Sequence, residues 1–116
     1  MNQRGDFRAR MFGAECAIHN NVQSAISEIE NISGTGAAID LAYDFFNDKI
    51  VLEFEIGEKF FRRESTILFK KSLESGKARY HVKFINYTER ERQELHSAIV
   101  TFEASRNKDN FYLDNE

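Results

Sequence analysis

The sequence predicts a small, mostly β domain: a six-stranded antiparallel barrel closed by a carboxy-terminal α-helix. Three observations support this prediction. Apolar and polar residues alternate in several short stretches, as they do in strands with one buried face. Short connections rich in Asn, Asp and Gly separate these stretches, and the chain contains no proline. A single apolar stripe of helical period follows the last strand and needs a surface to pack against.

Length and composition favour one soluble domain. The chain has 116 residues, of which 41% are hydrophobic and 30% charged, with 11 Phe to build a core. No stretch approaches the roughly 18 apolar residues of a membrane helix, and the Arg-rich amino terminus lacks the apolar core of a signal peptide. We therefore expect a cytoplasmic monomer without membrane insertion. The net charge of −3 argues against general DNA or RNA binding.

The first three strands surround a polar turn. We expect a flexible arginine arm over residues 1–11, and then a strand in which every second residue is apolar: Phe12, Ala14, Cys16 and Ile18. A second strand over residues 24–32 leads into the turn, and a third leaves it at Ala37. The apolar spacing of the second strand is irregular between Ile26 and Ile29, which indicates a bulge there.

Three further strands complete a barrel over residues 12–85, and we place them at residues 49–56, 59–72 and 78–85. In the long middle strand we expect Phe61, Ile67 and Phe69 to share the buried face. We also expect a bend at residues 62–64. A polar and aromatic connection over residues 42–48 precedes these strands.

A helix is predicted over residues 88–105. Thr88 and Glu91 have the spacing of a capping box, in which each side chain accepts from the backbone N–H of the other residue. The helix carries one apolar stripe: Leu95, Ala98, Ile99 and Phe102. Beyond it, residues 107–116 form an acidic tail that is either frayed or a docking peptide.

Catalysis has little support in the sequence. Cys16 is the single cysteine and is predicted to be buried, which makes it an inert core thiol. His19, His81 and His96 fall in separate predicted elements, so no nucleophile–base pair or metal-ligand spacing is apparent. We therefore expect neither an enzyme nor a metal site, and no cofactor.

Two short motifs point to a ligand instead. The turn reads Asn31-x-Ser33-x-x-Gly36, in which Asn31 and Ser33 can lock a turn while Gly34 and Gly36 allow positive φ and expose backbone N–H groups. The arm contains Arg4-x-x-x-Arg8. A chain of this length would contain the turn pattern about 0.05 times by chance.

In this order, the two motifs resemble those of the PilZ domain, a bacterial receptor module for cyclic di-GMP. The resemblance covers nearly the whole chain and implies a PilZ-type barrel with its closing helix over residues 1–106. It also implies a ligand site in which Arg4 and Arg8 contact guanine or phosphate and Asn31 meets a guanine edge. Ser33 would bind the ligand or hold the turn, and Gly36 would keep the backbone clear.

Three positions of this chain depart from the family pattern. Asn31 stands where many members have Asp, Gln3 precedes the first arginine where some have a third Arg, and His81 replaces a common Gly. The Gln favours one ligand molecule per site.

The resemblance implies a receptor that changes conformation and signals to an unidentified downstream protein, in processes such as motility, biofilm or exopolysaccharide formation. The alternative is an adaptor that works by protein contacts alone, as in type IV pilus assembly.

Overall fold

A computed structural model describes residues 9–42 and 48–114. For residues 10–13 and 107–114 it describes the backbone only. The predicted elements are all present in it: β1 (Ala9–His19), β2 (Ser24–Ile32), β3 (Gly36–Leu41), β4 (Lys49–Ile56), β5 (Lys59–Ser72), β6 (Ala78–Ile85) and α1 (Glu89–Asp114). Arg4, Arg8, the predicted connection around residues 43–47 and the last two residues lie outside the described residues. No helix in the described part of the chain has the length and hydrophobicity that crossing a bilayer demands.

The six strands form a closed antiparallel barrel in the order β1-β2-β3-β6-β5-β4, which confirms the predicted fold class. Closure occurs between β1 and β4, where Cys16 pairs with Phe54 and Ile18 with Leu52. The β3–β6 pairing brings together strands that are far apart in sequence. Because β3 follows the polar turn directly, this pairing fixes that turn against β6.

The core fills the barrel with the inward residues that alternation predicts. Ile50, Leu52 and Phe54 of β4 are each at most 3% exposed. The Phe54 ring lies 5.8 Å from that of Phe61 and 6.4 Å from that of Phe84, measured between centroids. Such a layer of aromatic and branched side chains is what a small barrel needs to exclude water.

Helix α1 packs on the same core and begins at the predicted cap. Leu95 and Ile99 are fully buried among the barrel residues. The Glu91 N–H donates to Thr88 Oγ1 at 3.1 Å, and the Thr88 N–H donates to Glu91 Oε1 at 2.8 Å, so the capping box is confirmed. The helix does not end near residue 105 as predicted but continues to Asp114.

The start of β1 and the bulge of β2 differ from the prediction. β1 begins at Ala9, which is 2% exposed, so residues 9–11 belong to the barrel rather than to a free arm. The β2 bulge is real but lies later, since the β2–β3 register shifts between Ile29 and Asn31. Ile26 instead faces outward and is 61% exposed.

Strand β5 corrects two further predictions. Residues 62–64 pair with β4 in continuous register, so the predicted bend is absent. Arg63 points inward and is 6% exposed, and its guanidinium donates to the Glu91 carbonyl at 2.9 Å, which ties β5 to the first turn of α1. Phe69 is not buried but 56% exposed, because a register shift between Ile67 and Phe69 reverses the alternation there.

Candidate functional site

The turn between β2 and β3, hereafter the 31–36 turn, is held from inside by Ser33. This side chain is fully buried. Its Oγ accepts from the Thr35 N–H at 3.2 Å, while the Ser33 N–H donates to the Gly36 carbonyl at 2.9 Å. A hydroxyl committed to its own loop in this way fixes the loop's shape. Of the two roles considered for Ser33, the structure therefore supports holding the turn.

Both glycines lie in close contacts, and at Gly36 the contact excludes any side chain. Left-handed φ occurs at Gly57 and Gly76, in the hairpin turns, so Gly34 and Gly36 do not use the positive φ that glycine allows. A Cβ on Gly36 would lie 2.5 Å from the Val82 carbonyl oxygen. Such a distance is not tolerated against backbone, so β3 can approach β6 here only without a side chain.

Gly34 brings the same turn against α1. A Cβ on Gly34 would lie 3.2 Å from Arg92 Cγ and 3.7 Å from His96 Cβ. On the other side, the Phe84 N–H of β6 donates to the Thr35 carbonyl at 2.9 Å. The turn is thus clamped between α1 and β6, which makes it a rigid element rather than a loose loop.

Asn31 lies at the mouth of this turn, half-buried, between β1 and β3. Its register partners are Arg10 on β1 and Ala38 on β3. Since β1 starts at Ala9 opposite Ile32, the described chain begins directly beside the 31–36 turn. The structure places Asn31, Ser33 and Gly36 in one turn, whereas Arg4 and Arg8 lie outside the described residues.

Arg79 pairs with two carboxylates, that of Glu30 next to the turn and that of Asp40 further along β3. Its guanidinium donates to both oxygens of Asp40, at 2.7 and 2.9 Å, and reaches Glu30 Oε1 at 3.4 Å. The bidentate bond to Asp40 raises the pKa of Arg79 above its ordinary value.

The groups considered for catalysis do not converge. Cys16 is 1% exposed, and burial raises the pKa of its thiol to about 12, so it is protonated at neutral pH. His19, His81 and His96 lie on β1, β6 and α1. Among the described residues, no group of three or more His, Cys, Asp or Glu is arranged to hold a metal ion.

Sequence reasoning missed an aromatic pair on the outer face of the barrel. The rings of Phe69 and His81 are stacked, with centroids 4.3 Å apart and planes 17° apart. Alternation placed Phe69 inside, and no local pattern could show that its partner is His81. The pair becomes visible only once the β5–β6 register is known.

Comparison with known proteins agrees with this geometry. The family description "PilZ domain" matches residues 2–100. The chain belongs to the PilZ domain family. The match spans the beginning of the sequence, the barrel and most of the buried part of α1, so membership rests on the whole domain rather than on the two short motifs. No curated protein sequence matches significantly.

Solved structures show the same PilZ fold. The PilZ domain of Escherichia coli YcgR with c-di-GMP has a TM-score of 0.70 at 13% identity, over 94% of this chain and 98% of that one. E. coli YcgR in complex with c-di-GMP has a TM-score of 0.78 at 12% identity, over 97% of this chain and 51% of that one. The Bacillus subtilis inhibitor of motility MotI/DgrA has a TM-score of 0.69 at 15% identity, over 90% of this chain and 53% of that one. The chain spans about half the length of the latter two, and identities this low establish the fold alone.

Proposed function

We propose that this PilZ domain is a bacterial, cytoplasmic receptor for cyclic di-GMP that is not an enzyme and acts on a partner protein through a conformational change. The observation that carries the proposal is the rigid 31–36 turn at the edge of the barrel, beside the point where β1 begins. A fixed turn holds Asn31 in place before any ligand arrives, which lowers the ordering cost of binding.

The chemistry of the motifs matches this ligand. Cyclic di-GMP offers two guanine edges and two phosphates. Arginine donates in bidentate fashion to guanine O6 and N7, stacks on bases and pairs with phosphate, which lysine does less well. In the proposal Arg4 and Arg8 supply these contacts, Asn31 bonds one guanine, Ser33 shapes the turn and Gly36 lets the strands close.

A conformational output follows from the position of the arginines. Ligand bound at the turn would draw the segment that carries Arg4 and Arg8 across the outer face of the barrel. The rearranged surface is then available to a downstream protein, which carries the signal onward.

Calorimetric titration tests the proposal. Wild-type protein should bind cyclic di-GMP saturably, with GTP and cyclic di-AMP as control ligands that bind more weakly or not at all. Higher salt should weaken binding, since phosphate contacts contribute. A wild-type protein that shows no saturable binding at low salt would favour the adaptor that works by protein contacts alone.

Variants assign the site residues. Arg4→Ala and Arg8→Ala should each cost about 1 to 3 kcal/mol of affinity, the value of a bidentate guanine contact, and the corresponding Lys variants should not restore it. Arg62→Ala is a matched control: it removes one arginine side chain as well, at an exposed site on β5 opposite Glu53. If the double variant Arg4→Ala/Arg8→Ala binds as well as Arg62→Ala, the assigned site is wrong.

A further inference from the structure

A groove crosses the outer face of the barrel over β2, β1, β4 and β5. It is lined by two large apolar side chains, Ile26 of β2 and Phe60 of β5, each 61% exposed, and by the small side chains of Ala14 and Ala17 of β1 between them. Its volume is about 460 Å³. An exposed apolar surface of this kind, when polar groups rim it, indicates contact with another molecule.

Three carboxylates line the same groove: Glu15 of β1 and Glu53 and Glu55 of β4. Glu53 is paired, with His19 Nε2 at 3.6 Å and with Arg62 Nε at 3.7 Å. Within the described part of the chain, Glu15 and Glu55 make no hydrogen bond or ion pair, and no lysine or arginine lines the groove. The groove therefore combines an apolar floor with uncompensated negative charge.

This arrangement of carboxylates is unfavourable for the isolated domain. Glu15 lies directly opposite Glu28 of β2, and Glu55 lies one strand away on the other side, across the β1–β4 pairing. Like charges that face each other on adjacent strands repel. Lys77 compensates Glu28 at 3.2 Å but leaves the other two carboxylates without a cation. A cationic partner in the groove would remove this repulsion.

The width of the groove fits an α-helix. Ile26 and Phe60 lie on strands that are three steps apart in the barrel, or about 14 Å at about 4.8 Å a step. An α-helix with its side chains is about 10 to 12 Å across. Because the strands close into a barrel, they offer an extended peptide no free edge to which it could add. A helix that lays an apolar face in the groove and carries Lys or Arg on its flanks matches both the floor and the rim.

We propose that this groove docks a basic amphipathic helix of the downstream protein. The negative rim disfavours nucleic acids and anionic membrane surfaces, whose charge has the same sign. The inference rests on the proposed function because it concerns the partner of that receptor. It assigns the partner contact to β2, β1, β4 and β5, outside the two sequence motifs.

A synthetic peptide tests the groove. The probe contains about 18 residues, all Leu or Lys, with leucines at the i, i+3, i+4 and i+7 spacing that gives a helix one apolar face. Wild-type protein should bind it saturably in a fluorescence anisotropy titration, and more weakly as salt rises. A peptide with the same leucines and Glu in place of Lys should not bind. In NMR spectra, the peptide should shift the amide resonances of Ile26 and Phe60 but not those of Lys70 and Lys71 further along β5.

Apolar variants locate the contact. Phe60→Ala and Ile26→Ala should each weaken peptide binding by roughly 5-fold or more, as truncation of an interface anchor does. Leu68→Ala is the matched control, because Leu68 is 58% exposed on the same strand as Phe60 but does not line the groove, so this variant should bind like wild type. All three sites are exposed, and circular dichroism should show melting temperatures within a few degrees of wild type.

Charge variants separate the rim from the overall charge of the protein. Glu55→Lys and Glu74→Lys change the net charge equally, but Glu74 lies in the exposed turn between β5 and β6. Glu55→Lys should weaken binding of the Lys-bearing peptide much more than Glu74→Lys does at low salt. Equal effects would show that the peptide responds only to net charge, and the proposal would be wrong.

The remaining outcomes identify other occupants and separate the two proposals. The proposal is wrong if wild type does not bind the peptide, or if Phe60→Ala binds like Leu68→Ala. A wild-type dimer in sedimentation that Phe60→Ala abolishes would make a second copy the occupant. Peptide binding by Arg4→Ala/Arg8→Ala but not by wild type would make the occupant the amino-terminal segment of this chain, and either result overturns the proposal. Phe60→Ala should bind cyclic di-GMP like wild type, so failure of the groove and failure of the receptor function are measured separately.

Discussion

Replacing Gly36 by Ala should destabilise the domain through one backbone contact. The added Cβ would lie 2.5 Å from the Val82 carbonyl oxygen, about 1 Å inside ordinary van der Waals contact. Neither partner can move freely, because Gly36 pairs with Lys83 and the Phe84 N–H is bonded to the Thr35 carbonyl. β3 and β6 must therefore separate locally.

The magnitude follows from two opposing terms. Overpacking of this kind costs about 1 to 3 kcal/mol. Because Gly36 does not have left-handed φ, alanine adds no backbone strain. Alanine also lowers the conformational entropy of the unfolded chain, which stabilises the folded state by about 0.4 to 1 kcal/mol. With the middle value of each range, the net loss is about 1.3 kcal/mol. At roughly 4 °C per kcal/mol for a chain of this size, the melting temperature should fall by about 5 °C.

Gly34→Ala is the matched control for this substitution. Its added Cβ would meet Arg92 Cγ at 3.2 Å, a side-chain atom that can shift, so we expect a change within about 1 kcal/mol. Urea denaturation followed by circular dichroism measures both variants, with an unchanged m-value showing that the unfolded states are comparable. If Gly36→Ala is as stable as wild type, or no worse than Gly34→Ala, the close approach of β3 and β6 is not what requires glycine.

Three further predictions concern α1 and the core. Ile99→Ala should lower the free energy of unfolding by about 2 to 5 kcal/mol because Ile99 is fully buried. Val100→Ala, at a site 42% exposed, should change stability little. Equal effects of the two substitutions would show that the buried face of the helix is wrongly assigned. Cys16 should resist alkylation at pH 8 in the native state and react on unfolding, since burial raises its pKa to about 12; prompt native-state labelling would contradict this. The Thr88 N–H bond lowers the pKa of Glu91 below its ordinary 4.5, so this contribution to stability is present above that pH and is lost as pH falls through the lowered value. Glu91→Gln, which removes the titrating acceptor, should therefore lower the melting temperature at pH 7 and do so less in acid, which thermal melts against pH would reveal.

Local patterns determined much of the fold. The period-2 alternation of Ile50, Leu52 and Phe54 depends only on which face of a strand is buried, and it placed β4 correctly. The Thr88 and Glu91 capping box is equally local, since both partners lie within one turn of helix. The two motifs and their order led to the PilZ family, which the match over residues 2–100 confirms.

Other features depend on which strands meet, and only the tertiary structure decided them. A bulge changes the side-chain direction of every residue after it, and its position is set by the partner strand, so the outward placement of Phe69 could not be obtained from β5 alone. The need for glycine at position 36 likewise arises from Val82, a residue of a strand 46 positions later. Sequence supplies the periodicity of each strand, but long-range pairing supplies the register, and in this domain the register decides which side chains share a face with Asn31.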